Sequence, residues 1–358
     1  MGVRRKESTT RSRTRRTGSL DHLDILVVSP GLLDATSFYR AIGPLSVLRK
    51  QIPGLTLSFA ESYTWASMAM TDIIFMHRPY SAHHLEIVQM AKDHGKKVWL
   101  DYDDNLFSVP ESNPSYETYA NPTIQANMAN LIRMADAVSV STAPLKSKLE
   151  QGGFLRKGKM PCRVIPNALN ESLFGYHDGH RTPPEKAVLW RGSQTHREDL
   201  LTFKDQILAC SRRFRDWKWH FLGDNPSFLR NSTLNNAFFL PPQEPITYFK
   251  TIYDLRPTVL IVPLKDCEFN KAKSNIAWIE GVFSGGIALA PDWEEWKRPG
   301  CITYSSPDDF MNKLERILSG RIDVARERKA GWDYIRTELN LSRVNRLRVK
   351  LIKDMMAP

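Results

Sequence analysis

The chain has 358 residues, with 50 Lys+Arg against 39 Asp+Glu and a formal net charge of +11 at pH 7. With 42% hydrophobic and 25% charged residues, it is too long for one small module and fits two ordinary globular domains. These values exclude a disordered, low-hydrophobicity chain, and no run approaches the ~18 apolar residues of a membrane span. No integral membrane segment is therefore expected. The first twenty residues are basic but lack the apolar stretch of a secretory signal.

The elements alternate from residue 22 on. Strands are expected at 24–30, 55–61 and 71–79, with a helix at 37–52 that breaks at Gly43-Pro44. A helix follows at 83–95, then a strand at 96–104 running into a Pro-rich connection. A helix at 124–135, a strand at 137–142, a helix at 144–151 and a strand at 162–169 complete the first half. A linker at 176–186 is rich in Gly, Pro and His. The second half begins with a strand at 187–192 and a helix at 197–214. It continues with a strand at 217–224, a helix at 246–255 and a strand at 258–264. A helix at 274–285, a strand at 287–291 and a helix at 307–320 end it. Residues 321–353 read as helical and basic.

This alternation predicts an α/β chain of two tandem Rossmann-like domains facing across a cleft. The domains are expected at 21–175 and 187–320, between a disordered basic tail (1–20) and a basic C-terminal segment (321–358). Charge is concentrated at the ends. Residues 1–20 are net +6, residues 321–358 are net +5, and the body between them is neutral. Such ends are either solvated surface or a contact with an anionic partner. The four cysteines (Cys162, Cys210, Cys267 and Cys301) lie far apart and fit neither a zinc pattern nor a disulfide scaffold. A cytoplasmic protein is expected.

Three motifs carry chemistry. Residues 190–200 (WRGSQTHREDL) leave a strand at Arg191-Gly192 and enter a helix near Arg197. A strand–Gly–helix turn presents free backbone N–H groups to an anion, with Ser193 and His196 beside it. Residues 267–286 place Asn270, Lys271, Lys273, Ser274 and Asn275 ahead of an apolar helix that carries Glu280. Lysines at a helix N-terminus suit a pyrophosphate. A carboxylate on an apolar helix needs a partner such as a ribose diol. Residues 99–110 run a strand into Asp101, Asp103 and Asp104. These carboxylates suit a metal, sugar hydroxyls or base chemistry, or cap their own loop. His77-Arg78, after the strand at 71–79, and the 31–40 loop, with Gly31, Asp34, Ser37 and Tyr39, are expected at the same edge.

In this order the motifs resemble glycosyltransferases of GT-B fold, above all the retaining bacterial and phage family that includes lipopolysaccharide and O-antigen transferases. The likeness rests on Gly192 to Leu200, on Phe269 to Glu280, on Trp99 to Phe107 and on Val164 to Asn167, within residues 22–350. It implies a nucleotide-diphosphate sugar as donor, with no further cofactor and no required metal. Glu280 would bind the ribose. Lys273 and Arg191 would neutralise the diphosphate. Gly192, Ser193, His196, Asn270, Lys271, Ser274 and Asn275 would complete the donor site. Asp101, Asp103, Asp104, His77, Gly31, Asp34, Ser37 and Tyr39 would face the acceptor and the transferred sugar. Ala272 stands where many members carry a first glutamate, eight positions before Glu280. The final helix of such proteins commonly crosses back to the first domain, which would bring Arg343, Arg346, Arg348, Lys350 and Lys353 to the acceptor side.

The implied acceptor is an anionic or membrane-associated glycan, or a modified base in DNA as in phage-type transferases. The protein would then sit peripherally at the inner membrane surface or on DNA. Two other readings compete. A GT-A transferase would use Asp101-x-Asp103 on a metal, but the second α/β half opposes it. A non-catalytic nucleic-acid-binding protein would use the basic ends, but the aromatic residues lie in core-like segments rather than among the basic ones.

Overall fold

A computed structural model describes residues 22–28, 34–61, 63–155, 160–174, 184–232 and 234–357. The basic tail, Gly31 and residues 176–183 of the expected linker lie outside the described residues.

The first sheet holds β1 (Leu23–Val28), β2 (Leu55–Ala60), β3 (Ile73–His77), β4 (Lys97–Tyr102), β5 (Ala137–Val140) and β6 (Cys162–Val164). All pairs are parallel, in the order β2-β1-β3-β4-β5-β6. The central strands are continuous apolar runs because helices cover both faces: Ile73, Ile74, Phe75 and Met76 are fully buried. The second sheet holds β7 (Glu185–Gly192), β8 (Lys218–Gly223), β9 (Ala237–Leu240), β10 (Pro257–Ile261), β11 (Ile287–Pro291) and β12 (Cys301–Tyr304). It too is parallel, ordered β12-β11-β10-β7-β8-β9. The strand order reverses between β1 and β3 and between β7 and β10. Loops diverge there and leave a crevice beyond the strands' carboxyl ends.

Several elements differ from expectation for physical reasons. The chain stays helical through Gly43-Pro44. Pro44 has no N–H for the Arg40 carbonyl, and the ladder widens into a π segment, Phe38–Ile42, before the helix Gly43–Leu48. A Cβ at position 43 would lie 2.2 Å from the Phe38 carbonyl oxygen, so the widened turn requires glycine there. The helix expected at 197–214 is two, Arg197–Thr202 and Lys204–Arg213, jointed at Phe203. Only Cys162–Val164 of the 162–169 run pairs in the sheet. β7 begins at Glu185, inside the expected linker, where the Glu185 N–H donates to the Arg256 carbonyl at 2.8 Å. Strands β9 and β12, four residues each, were not expected.

The basic C-terminal segment is two helices, Val324–Glu338 and Leu341–Met356. The final helix crosses back to the first domain. Asn345 Nδ2 donates to the Pro44 carbonyl (2.9 Å) and Gln51 Nε2 to the Ser342 carbonyl (2.6 Å). The Glu171 carboxylate caps its start, accepting from the N–H groups of Leu341 and Ser342 at 2.8 and 3.0 Å. Arg343, Arg346, Lys350 and Lys353 are exposed on it. Arg348 departs from the expected basic face: it is 2% exposed and donates to Asn345 Oδ1. Burial, with the nearby Arg40 charge, pushes its guanidinium down to about 9.

Candidate active site

A cleft with a cavity volume of about 190 Å³ opens between the two sheets. Its floor on the second domain is the loop after β10 (Val262, Pro263, Leu264), the end of β7 and the start of the helix Ile276–Phe283. The first domain contributes Tyr39, Arg78, Asp103, Asp104 and Asn167.

Glu280 is only 2% exposed on its apolar helix. Its carboxylate accepts from Arg191 Nε at 2.7 Å, from the Tyr248 hydroxyl at 2.9 Å and from the Tyr39 hydroxyl at 2.6 Å. Burial and the Glu280 charge hold both tyrosine hydroxyls well above their ordinary pKa. Burial opposes the charge of Arg191, but Glu280 outweighs it and keeps the guanidinium ionised. Tyr39 comes from the π segment of the first domain, so this cluster spans both domains.

Lys273 lies below Glu280 in the same wall. Its Nζ is 3.5 Å from Asp104 Oδ1 and 4.4 Å from the centre of the Phe269 ring. The helix that follows starts at Ile276 with no side-chain cap on Asn275. Ser274, Ile276 and Ala277 line the cleft at that uncapped end. The first domain grips this wall at further points. Asn167 Nδ2 donates to Ser274 Oγ (2.9 Å), and the Thr142 hydroxyl donates to the Ala272 carbonyl (2.8 Å).

Opposite stands an ionic cluster. Arg78 follows β3 in the left-handed region, at φ 49°, a conformation that costs a non-glycine residue roughly 1–3 kcal/mol. That turn aims Arg78 Nη2 at Asp104 Oδ2 (2.6 Å) and Nε at Asp103 Oδ1. His77 Nε2 lies 3.1 Å from Asp103 Oδ1. Burial alone would raise the Asp103 carboxyl; Arg78 and His77 outweigh it and hold it well below the usual range.

His196 ends the helical turn Gln194–His196 that follows β7, whose last residue, Gly192, has no room for a side chain: a Cβ there would come within 2.8 Å of the Trp190 ring. His196 Nδ1 pairs with Asp199 Oδ2 at 3.0 Å. Asp199 is in turn fixed by the Lys265 N–H and by Asn270 Nδ2, at 3.0 and 2.7 Å. Burial and the Lys273 charge push the imidazole below its ordinary pKa. Among the described residues, no three His, Cys, Asp or Glu side chains are arranged to hold a metal ion.

No protein-family model matches the sequence, and comparison with curated proteins gives no match. Solved structures do match. Sucrose-phosphate synthase from Thermosynechococcus elongatus superposes with a TM-score of 0.68 at 13% identity, over 93% of this chain and 99% of that one. An alpha-glucosyltransferase solved with UDP-glucose and DNA containing an abasic site gives a TM-score of 0.67 at 11% identity, over 92% and 98%. A glycosyltransferase from Rickettsia africae gives 0.63 at 14% identity, over 94% and 98%. The chain has the GT-B fold.

On this GT-B frame the expected site residues divide. Lys273, Arg191, Glu280, Ser274, His196, Tyr39, Asp103 and Asp104 line the cleft together. Asp101 lies beneath it, 2% exposed, bonded by both carboxylate oxygens to the buried Arg40 at 2.8 Å. His77 is also underneath, reaching the cleft through Asp103. Asn270 is buried against Asp199, and Asn275 donates to the Glu295 carbonyl at 3.1 Å. Both shape the wall from behind. Lys271 turns to solvent, 2.5 Å from Asp266. Gly192 ends β7 and Ser193 follows it, Asp34 caps the short helix Ala35–Ser37, and Ser37 is buried. Arg78, expected with His77 at this edge, lines the cleft beside Asp103 and Asp104. Tyr248 and Trp296 were not picked from sequence.

Proposed function

We propose that this chain is a glycosyltransferase that moves a sugar from a nucleotide-diphosphate sugar to a membrane-associated glycan, with retention at the anomeric carbon. The observation that carries the reading is convergence. Arg191, Lys273, the uncapped helix N-terminus and Glu280 meet in one interdomain cleft of a GT-B fold.

The roles follow from charge. The diphosphate lies between Lys273, Arg191 and the N–H groups at the start of the helix Ile276–Phe283. Glu280 accepts from the ribose diol, which takes the place of the Tyr39 hydroxyl. The apolar loop Val262–Leu264 receives the base. His196, neutral and oriented by Asp199, faces the transferred sugar. As the bond from the anomeric carbon to the diphosphate oxygen breaks, negative charge grows on that oxygen. Preplaced cations and dipoles stabilise it. The acceptor hydroxyl attacks the anomeric carbon and passes its proton to the departing phosphate. Every carboxylate that lines the cleft among the described residues is already paired with a cation: Asp103 and Asp104 with Arg78, Glu280 with Arg191. A carboxylate already engaged by a guanidinium is a poor base, which favours the phosphate for this task.

The exposed Arg346, Lys350 and Lys353 give the final helix a cationic side that suits anionic headgroups at the inner membrane surface. DNA is the second acceptor reading. It is favoured by the same basic helix and by likeness to the alpha-glucosyltransferase solved with DNA. The deciding experiment offers UDP- and GDP-sugars with glycolipid or DNA and reads products by mass spectrometry. Anomeric coupling in the product reports retention. Glu280→Ala is expected to lose transfer by two orders of magnitude or more. Full turnover in that variant refutes the donor site.

A further inference from the structure

A row of aromatic rings leaves the cleft along the carboxyl edge of the first sheet. It starts at Tyr80, two positions after the cleft-lining Arg78, with Tyr119 beside it. Tyr119 meets Tyr80 edge-on with ring centres 5.5 Å apart. Tyr80 lies 5.6 Å from His84, and His84 lies 6.4 Å from His83. His83 stacks on Tyr63 at 6.0 Å with the planes 25° apart. Trp65, 69% exposed, follows Tyr63 by two residues and opens the helix Trp65–Ala69. These rings come from three successive connections, after β2, β3 and β4. Tyr63, Tyr80 and Tyr119 rest one side on the core and keep part of their surface open.

The charge around the row decides what it fits. Residues 54–91 contain one Lys or Arg, Arg78, and it is bonded to Asp103 and Asp104. Residues 101–123 contain five acids and no Lys or Arg. His84 adds no cation near neutral pH, because burial and His83 push it down to about 4. Single-stranded nucleic acid needs stacking rings together with a positive groove, and a phosphate backbone needs Lys/Arg partners. The row has the rings without the cations. Sugars need rings for their C–H faces and carboxylates for their hydroxyls, and both are present.

We propose that this row is the acceptor track, and that it binds a neutral oligosaccharide whose growing end reaches the cleft at Asp103 and Asp104. The proposal rests on the glycosyl-transfer reading above and names its acceptor class. Bound sugars lie across Tyr80, His83 and Tyr63, with Trp65 capping the far end.

The test uses the full chain with malto-, cello-, chito- and manno-oligosaccharides and a single-stranded oligodeoxynucleotide, read by calorimetry. At least one oligosaccharide series is expected to bind. Trp65→Ala and Tyr63→Ala are each expected to weaken it about tenfold. Nucleotide-sugar affinity and thermal midpoint are expected to stay unchanged in Trp65→Ala. The track is overturned if no oligosaccharide binds, if the variants bind as the parent does, or if the variants lose only the oligodeoxynucleotide. Failure of the functional reading looks different: oligosaccharides bind in a ring-dependent way while no nucleotide sugar binds the parent protein.

Discussion

Lys273→Ala separates a catalytic cation from a structural one. In the protein Lys273 pairs with Asp104 at 3.5 Å and lies over the Phe269 ring, with 15% of its side chain exposed. An ion pair of this partly open kind contributes about 0–1 kcal/mol to stability, and the ring contact about 0.5–1 kcal/mol. Asp104 keeps Arg78 after the change, so no buried charge is stranded. The fold should therefore lose no more than about 1–2 kcal/mol. Removing a preplaced stabiliser of the leaving diphosphate raises the barrier by about 2.7–4 kcal/mol, or a hundred- to a thousandfold in kcat. The assay is nucleotide release from the donor, beside a denaturant titration of the same preparation. Lys271→Ala is the control: it points to solvent beside Asp266 and is expected to leave kcat unchanged. A Lys273→Ala enzyme within tenfold of the parent refutes the assignment, as does equal loss in Lys271→Ala.

Tyr39→Phe removes one of the three donors on Glu280 and leaves Arg191 and Tyr248 in place. Because the ribose takes that place, KM for the donor should fall while kcat holds; a raised KM contradicts the exchange. His196 is held below its ordinary pKa of about 6.5 by burial and Lys273. Its unfolded form binds more protons, so its contribution to stability rises with pH up to about 6.5 and falls in acid. Histidine NMR titration should show the depressed value, and Lys273→Met should move it upward; an unmoved value would count against the proximity. Glu295 is raised to about 7 by burial. Its stabilising proton contributes fully below about 4.5 and the contribution is gone above about 7, so Glu295→Gln should flatten the fall in thermal midpoint between about pH 4.5 and 7.

Both sheets were legible because buried parallel strands are continuous apolar runs, as in residues 73–76, set between helical patterns. The site was legible where one residue type has few uses: a glutamate on an apolar helix, or lysines before a helix start. What escaped depends on angles that spacing does not carry. The turn Glu268–Lys271 sends Lys271 outward and leaves Lys273 facing the cleft, although two positions separate them. Asp101 reads like its neighbours Asp103 and Asp104, yet it lies inside β4, which ends at Tyr102, and is bonded there to Arg40, whose burial no local pattern announces. The edge that carries Arg78 was legible, but not the left-handed backbone that turns it onto Asp103 and Asp104. The edge strands β9 and β12 are four residues long, too short for periodicity to declare.

The return of the helix Leu341–Met356 to the first domain sets an order of assembly. Residues 23–164 form a complete sheet, but one of its covering elements is made only after the whole second domain has left the ribosome. Until then Ala41, Leu45 and Leu48, which share a core with Val344, Leu351 and Ile352, lack those partners. The second domain is thus an insertion in the folding history of the first. A chain cut at residue 340 should keep both sheets yet expose this apolar seam, and aggregate rather than lose a single activity.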